Sequence, residues 1–324
     1  MTNTNSALTG QQAQQASSTN AQGERGALKT SPNALPHGPQ AAIETRNLTF
    51  HYPNSAPVLS DVSLTIHAGQ RVGIIGHNGC GKTTLFMLLC GVLTPTSGEI
   101  SLLGKPVEPG SFRPDVGMLF QDPDDQLFSP SVQDDIAFGP QNMSLTPDEV
   151  TARVHQALKT TGMEMLAERT PHHLSGGEKQ MVAIAGILAM QPKVVLYDEP
   201  TASLDLRTRR RLVGFLQKSS ETLLISSHDL EFVLDVCDRI LLIDNGQIIA
   251  DGDPLDIMGD QPLMEAHGLE KPHSLIPHVR PHHRRLAADA PMLATKQMAG
   301  APSSQDFSDR AENSSEKTAI NDSP

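Results

Sequence analysis

One stretch of this chain is built for phosphate: Gly76-His77-Asn78-Gly79-Cys80-Gly81-Lys82-Thr83 fits the pattern G-x-x-x-x-G-K-[ST]. Glycines at these positions let the backbone wrap closely and aim successive N–H groups at an anion. The helix predicted over Thr83 to Cys90 presents its positive end to the same charge. Lys82 can reach β- and γ-phosphates, and the Thr83 hydroxyl can ligate Mg²⁺. A plain glycine turn between strand and helix is the bland alternative, but the strand and helix stand where the chemistry needs them.

A second constellation completes a hydrolytic site. Val194-Val195-Leu196-Tyr197-Asp198-Glu199 is an apolar strand ending in two acids. An acid at the carboxyl end of a buried strand beside a phosphate loop is placed to hold Mg²⁺ through its water shell, the role expected of Asp198. Glu199 can orient and deprotonate an attacking water, a contribution of ~10²–10⁴ in rate. An acidic strand-end turn before Pro200 is the simpler reading of these two residues, and the upstream phosphate loop argues for the functional one.

These residues need a scaffold, and the flanking patterns describe one. Ile43 to Phe50, Val58 to Ile66 and Arg71 to Ile75 read as strands, the second through alternation of Val62, Leu64 and Ile66 with polar residues. Val194 to Tyr197 and Thr222 to Ile225 are continuous apolar runs, as in parallel strands buried on both faces. Ile240 to Asp244, Asn245-Gly246 and Gln247 to Ala250 read as a hairpin. Strands alternating with helices give an α/β fold around a mainly parallel sheet. The polar segment 122–173, helical in pattern around Thr151 to Leu166, is expected to be an inserted helical subdomain.

Composition sets the limits. The 324 residues carry a formal net charge of −12, which argues against a protein that grips nucleic acid. Cys80, Cys90 and Cys237 are scattered without metal-ligand spacing, as suits a reducing compartment. The start lacks a signal peptide. The longest apolar run, Met181 to Met190, is far short of the roughly 18 residues that span a bilayer. The chain is therefore expected to be soluble, and brought to a membrane, if it works there, by another subunit. Residues 1–41 and 277–324 have no apolar period and are expected to be disordered tails around an ordered domain at 42–276.

Leu174-Ser175-Gly176-Gly177-Glu178-Lys179-Gln180 resembles the signature motif of the ABC ATPases. Ser175 and Glu178 also form a capping box before a helix with an apolar face, and the two readings are compatible. The family usually has Gln where this chain has Glu178. Other landmarks follow in family order: Tyr52 resembles the aromatic that stacks on adenine, Gln121 the Q-loop glutamine, Ser203-Leu204-Asp205 the D-loop, and His228 the switch histidine. The resemblance covers about Ile43 to Leu275. It implies an ABC nucleotide-binding domain: a P-loop NTPase core with an antiparallel β subdomain and an inserted helical subdomain. It implies ATP and Mg²⁺ as cofactors. Nucleotide contacts would come from Tyr52, Gly76, His77, Asn78, Gly79, Cys80, Gly81, Lys82, Thr83 and Thr84, and from Ser175, Gly176 and Gly177 of a second subunit. Thr83, Gln121 and Asp198 would hold the metal, and Glu199, His228 and Gln121 would serve hydrolysis.

Phe120 to Phe128 with Asp135 to Pro140 resembles the ATPases of energy-coupling-factor importers. Pro171 to Leu174, Ala185 to Met190 and His267 to Leu275 resemble their cobalt/nickel branch. The resemblance implies a transmembrane coupling subunit seated on the Gln121-to-Pro140 surface, a metal-binding membrane subunit, and a dimer with a second copy or a paralogue. The site of action would be the cytoplasmic face of the cell membrane. A vitamin importer is the alternative within this architecture. A soluble ABC ATPase acting on DNA or the ribosome is the alternative outside it, disfavoured by the absence of a coiled coil and of a second motif set.

Two smaller features complete the reading. Cys80 sits among loop amides beside Lys82, a setting that lowers a thiol pKa, or it is a small residue accepted for size. His267, His273, His278, His282 and His283 invite a metal-binding role, but their spacing fits no compact site and the Pro- and Arg-rich neighbours are those of a solvated linker.

Overall fold

The computed structural model describes residues 40–276. The two predicted tails therefore lie outside the described residues, except for Gln40 and Ala41, as do His278, His282 and His283. In chain order the strands are β1 (Ala41–Phe50), β2 (Leu59–His67), β3 (Arg71–Ile75), β4 (Ser97–Leu102), β5 (Lys105–Pro106), β6 (Val116–Leu119), β7 (Val194–Asp198), β8 (Thr222–Ser226), β9 (Arg239–Asp244) and β10 (Gln247–Gly252). The helices are α1 (Lys82–Leu89), α2 (Val132–Gln141), α3 (Pro147–Thr161), α4 (Gly176–Ala189), α5 (Leu206–Leu216), α6 (Leu230–Val236), α7 (Pro254–Gly259) and α8 (Gln261–Ala266).

The strands form two sheets. The smaller is antiparallel, in the order β2-β1-β4-β5. The larger runs β10-β9-β3-β8-β7-β6 and is parallel except for the hairpin strand β10. This is the expected α/β architecture of an ABC nucleotide-binding domain. In β2 the buried Leu59, Val62, Leu64 and Ile66 face inward while Asp61 and Ser63 meet solvent. Every residue of β7 and of β8 is buried, because both faces of the central sheet are covered.

The period of two divides β7 between two cores. Val195 and Tyr197 join α4, α6 and the helical layer, while Val194 and Leu196 join α1 and the antiparallel sheet. Full burial of one such side chain is worth about 1.5–3 kcal/mol, so the sheet is held from both sides. The catalytic candidates hang on this layer.

The helical region differs in extent from the reading at 122–173. α2 and α3 lie inside that span, but both pack on α4, which starts beyond it. The reason is the apolar face of α4, where Met181, Val182, Ile184 and Ala185 are buried. The helix sensed at Thr151 to Leu166 is also placed earlier. α3 starts with the Thr146/Glu149 capping box and Pro147, then stops at Gly162 in a left-handed conformation. Strands β4, β5 and β6 have no counterpart in the sequence reading. They are short, and β4 begins with exposed polar residues that hide its pattern.

Candidate active site

Four segments reach the site from the carboxyl ends of parallel strands: the phosphate loop after β3, Gln121 after β6, Asp198 and Glu199 at β7, and His228 after β8. That edge of an open α/β sheet is where ligands are bound. A pocket here is lined by Asn78, Gly79, Gly81, Lys82, Thr83, Thr84, Gln121, Asp198 and Glu199, with Val58 at its wall. It brings together the loop, both acids and Gln121, which lie far apart in sequence.

The loop geometry follows from its glycines. Gly81 has φ 109°, and a Cβ there would come within 2.8 Å of Leu59 Cδ2. Only glycine accepts both constraints, and the result is the tight turn into α1. Lys82 is buried, and its ammonium donates to the carbonyls of Gly76 at 2.9 Å and His77 at 3.1 Å. The Thr83 hydroxyl donates to Asp198 Oδ2 at 2.6 Å. The Ser226 hydroxyl donates to the other oxygen of Asp198.

Glu199 is buried, with φ 49°. Its N–H donates to Ser226 O at 3.1 Å and lies 3.3 Å from Ser226 Oγ. Its carboxylate faces His228, whose ring is largely exposed and whose Nδ1 donates to Oε2 at 2.6 Å. Tyr52 is 41% exposed, packs edge-on against Phe50, and places its hydroxyl 3.5 Å from Thr84 Oγ1.

Tyr52, Gly76, His77, Cys80, His228 and the Ser175-to-Gly177 segment are predicted residues outside the pocket lining. Ser175, Gly176 and Gly177 form the N-terminus of α4, where Glu178 accepts from the Ser175 N–H and hydroxyl. Their near neighbours are Ser203 and Leu204, and Asp205 caps α5 through the N–H groups of Arg207 and Thr208. The His77 side chain points to Asp244. The Cys80 thiol is buried, and burial pushes its pKa up, outweighing the nearby Lys82. Desolvation penalises the thiolate, which favours the reading of Cys80 as a small residue accepted for size.

Two site residues escaped the sequence reading. Ser226 ends a buried apolar strand and carries no motif signal of its own. Asp244 was read only as a hairpin residue, yet it contacts both His77 and His267. His267, one of the crowded C-terminal histidines, therefore has a partner inside the domain.

A parallel sheet with a phosphate loop, strand-end acids and a glycine-opened helix N-terminus defines an ATP-binding and ATP-hydrolysing domain of the ABC type. The ABC transporter family model matches residues 59–202. A Synechocystis protein named as a candidate ABC transporter ATP-binding protein is 62% identical over 234 residues, 72% of this chain and 82% of that one. The energy-coupling factor transporter ATP-binding protein EcfA of Methanothermobacter thermautotrophicus is 44% identical, over 72% of this chain and 77% of its own. This chain belongs to the ABC transporter ATP-binding protein family. Among solved structures, CbiO1 of Clostridium perfringens, part of the ABC transporter complex CbiONQ, matches with TM-score 0.62 and 36% identity over 70% of this chain and 94% of its own. The ATP-binding cassette MJ0796, as a post-hydrolysis dimer bound to ADP and Pi, matches with TM-score 0.59 and 25% identity over 65% and 98%.

Proposed function

We propose that this chain is the ATPase of an energy-coupling-factor importer that powers uptake of cobalt or nickel ions, held peripherally on the cytoplasmic face of the membrane. The observation that carries the coupling to a membrane partner is an apolar groove lined by Phe112, Phe128 and Phe138. Phe128 and Phe138 are 64% and 51% exposed and stack edge-to-face at 5.0 Å, next to the exposed Phe112. Exposed aromatics grouped this way mark an interaction surface. The groove lies on the predicted Gln121-to-Pro140 surface, and no described helix is long and apolar enough to cross a membrane itself. The EcfA relatives and the CbiO1 likeness support the importer class. The metal cargo rests on the stretches 171–174, 185–190 and 267–275.

Within the site, loop amides and the α1 N-terminus bind the phosphates while Lys82 meets their negative charge. The paired oxygens of Thr83 and Asp198, with Gln121 beside them, are a hard all-oxygen donor set that fits Mg²⁺. Those three residues would hold the ion, which would neutralise charge on the transferring phosphoryl group. Glu199 takes the proton of the attacking water, and His228 fixes that carboxylate from outside. Tyr52 offers its open face to adenine. Ser175 to Gly177 lie outside their own chain's pocket, so they cover ATP held by a second copy or a paralogue. The dimeric state of MJ0796 supports this arrangement.

The test is co-purification with a co-expressed transmembrane coupling subunit of an energy-coupling-factor importer. Phe128→Ser with Phe138→Ser should keep ATP binding and lose the complex. An intact complex would refute the groove as the docking surface. Uptake of a vitamin, and not of radiolabelled cobalt or nickel, would overturn the cargo.

A further inference from the structure

Asp244, the last residue of β9, gives each carboxylate oxygen to a different histidine. Oδ1 accepts from His77 Nε2 at 2.9 Å, and Oδ2 accepts from His267 Nδ1 at 2.8 Å. His77 belongs to the phosphate loop, and His267 closes the C-terminal end of α8. The Asp244 side chain is 14% exposed, and hydrogen bonds from His267 first and then His77 hold its carboxyl below the usual carboxylate range.

The backbone fixes this corner as well. A Cβ at Gly76 would lie 2.2 Å from the carbonyl oxygen of Ile243, so β9 touches the first loop glycine directly. After Asp244 the chain turns through Asn245 and Gly246, both with positive φ. A Cβ on Gly246 would lie 2.3 Å from the Val58 carbonyl oxygen, and Ser60 N–H donates to Gly246 O at 2.9 Å. The turn is thus pinned between Val58, which walls the phosphate pocket, and the loop itself. On the loop side, His77 Nδ1 lies 2.8 Å from Asn78 O, and the His77 carbonyl is one of the two that hold Lys82.

We infer that Asp244 is a positioning residue for nucleotide binding, and that through His267 the end of α8 sets the affinity of a pocket it does not line. The reasoning is mechanical. A carboxylate held by donors on both oxygens has one orientation, and it anchors the His77 ring at Nε2 while the Asn78 carbonyl lies against Nδ1. Without His267, Asp244 is free to turn, and the loop residue beside Asn78 and Gly79 loses its anchor. The inference rests on the phosphate-loop reading above.

The experiment uses the full chain. Equilibrium binding of a fluorescent ATP analogue with Mg²⁺ is measured, together with KM and kcat in the complex with its membrane partners and thermal unfolding. Asp244→Asn and His267→Gln should each weaken binding and raise KM roughly three- to tenfold. They should leave kcat within about twofold of wild type. Asp244→Asn with His267→Gln should lose less than the product of the single losses, since both act on one link. Lys82→Ala separates the two levels. If it binds like wild type, the phosphate-loop reading fails. If it abolishes binding while Asp244→Asn and His267→Gln bind normally, the positioning role fails. Lower thermal stability of His267→Gln at unchanged KM would likewise overturn it.

Discussion

Nδ1 of His228 lies 2.6 Å from Oε2 of Glu199, and the same oxygen accepts the backbone N–H of His228 at 3.1 Å. Two donors from one residue thus fix the carboxylate expected to take a proton from water. The backbone of Glu199 contributes, because its φ of 49° is a conformation costing of order 1–3 kcal/mol. The bonds from its N–H to Ser226 and the burial around it hold that conformation in place.

Glu199→Gln keeps the shape and removes the base. It should bind ATP, collect as a closed dimer, and lose turnover by ~10²–10⁴. Lys82→Ala should instead weaken binding itself. Steady-state ATPase with the membrane partners, alongside nucleotide binding, separates the two. Wild-type turnover by Glu199→Gln would remove the base assignment.

Ser226→Ala tests a residue without a motif. Its hydroxyl donates to Asp198 and lies near the Glu199 N–H, both buried. Losing a hydrogen bond to a buried charged group costs about 1.5–3 kcal/mol. The Mg²⁺ concentration for half-maximal ATPase should rise roughly 10- to 100-fold if Asp198 loses its support. A metal titration of the variant identical to wild type would show that Asp198 is held without Ser226.

The thiols should be inert in the folded chain. Burial raises the pKa of Cys80, and pushes Cys90 and Cys237 up to about 12. A thiol reagent at neutral pH should leave ATPase intact, with labelling appearing only on unfolding. Rapid loss of activity in wild type but not in Cys80→Ser, prevented by ATP, would restore the reactive-thiol reading.

Glu178 ties the signature helix to pH. Hydrogen bonds from the Ser175 hydroxyl and then its N–H lower the Glu178 pKa. A carboxyl lowered on folding stabilises the native state above its unfolded pKa, and that contribution fades as pH falls through the folded value. Thermal melts should therefore show a smaller acid-side loss for Glu178→Gln than for wild type, since Gln is neutral throughout while the other lowered carboxyls remain. Superimposable pH profiles for the two proteins would count against the capping box as the cause.

The phosphate loop, the acids at 198 and 199, the signature helix and the buried strands were all legible in the sequence by itself. Each is a local pattern, in which a glycine spacing, an apolar run or a cap sits within a few residues of what it explains. The short strands β4 and β6 were not, because a few residues with mixed burial give no period to read. Nor was the closure of the helical layer on α4, which depends on which faces meet. Tertiary structure alone decided the rest. Asp198 and Ser226 are 28 residues apart, Asp244 and His267 23, and His77 and Asp244 167. Such pairs leave no trace in local composition: Asp198–Ser226 and His77–Asp244 form only when neighbouring parallel strands bring their carboxyl ends to one edge, and Asp244–His267 only when the end of α8 returns to the end of β9. Burial decided Cys80 in the same way: the residues beside it in sequence favour a thiolate, and the atoms packed around it in space oppose one.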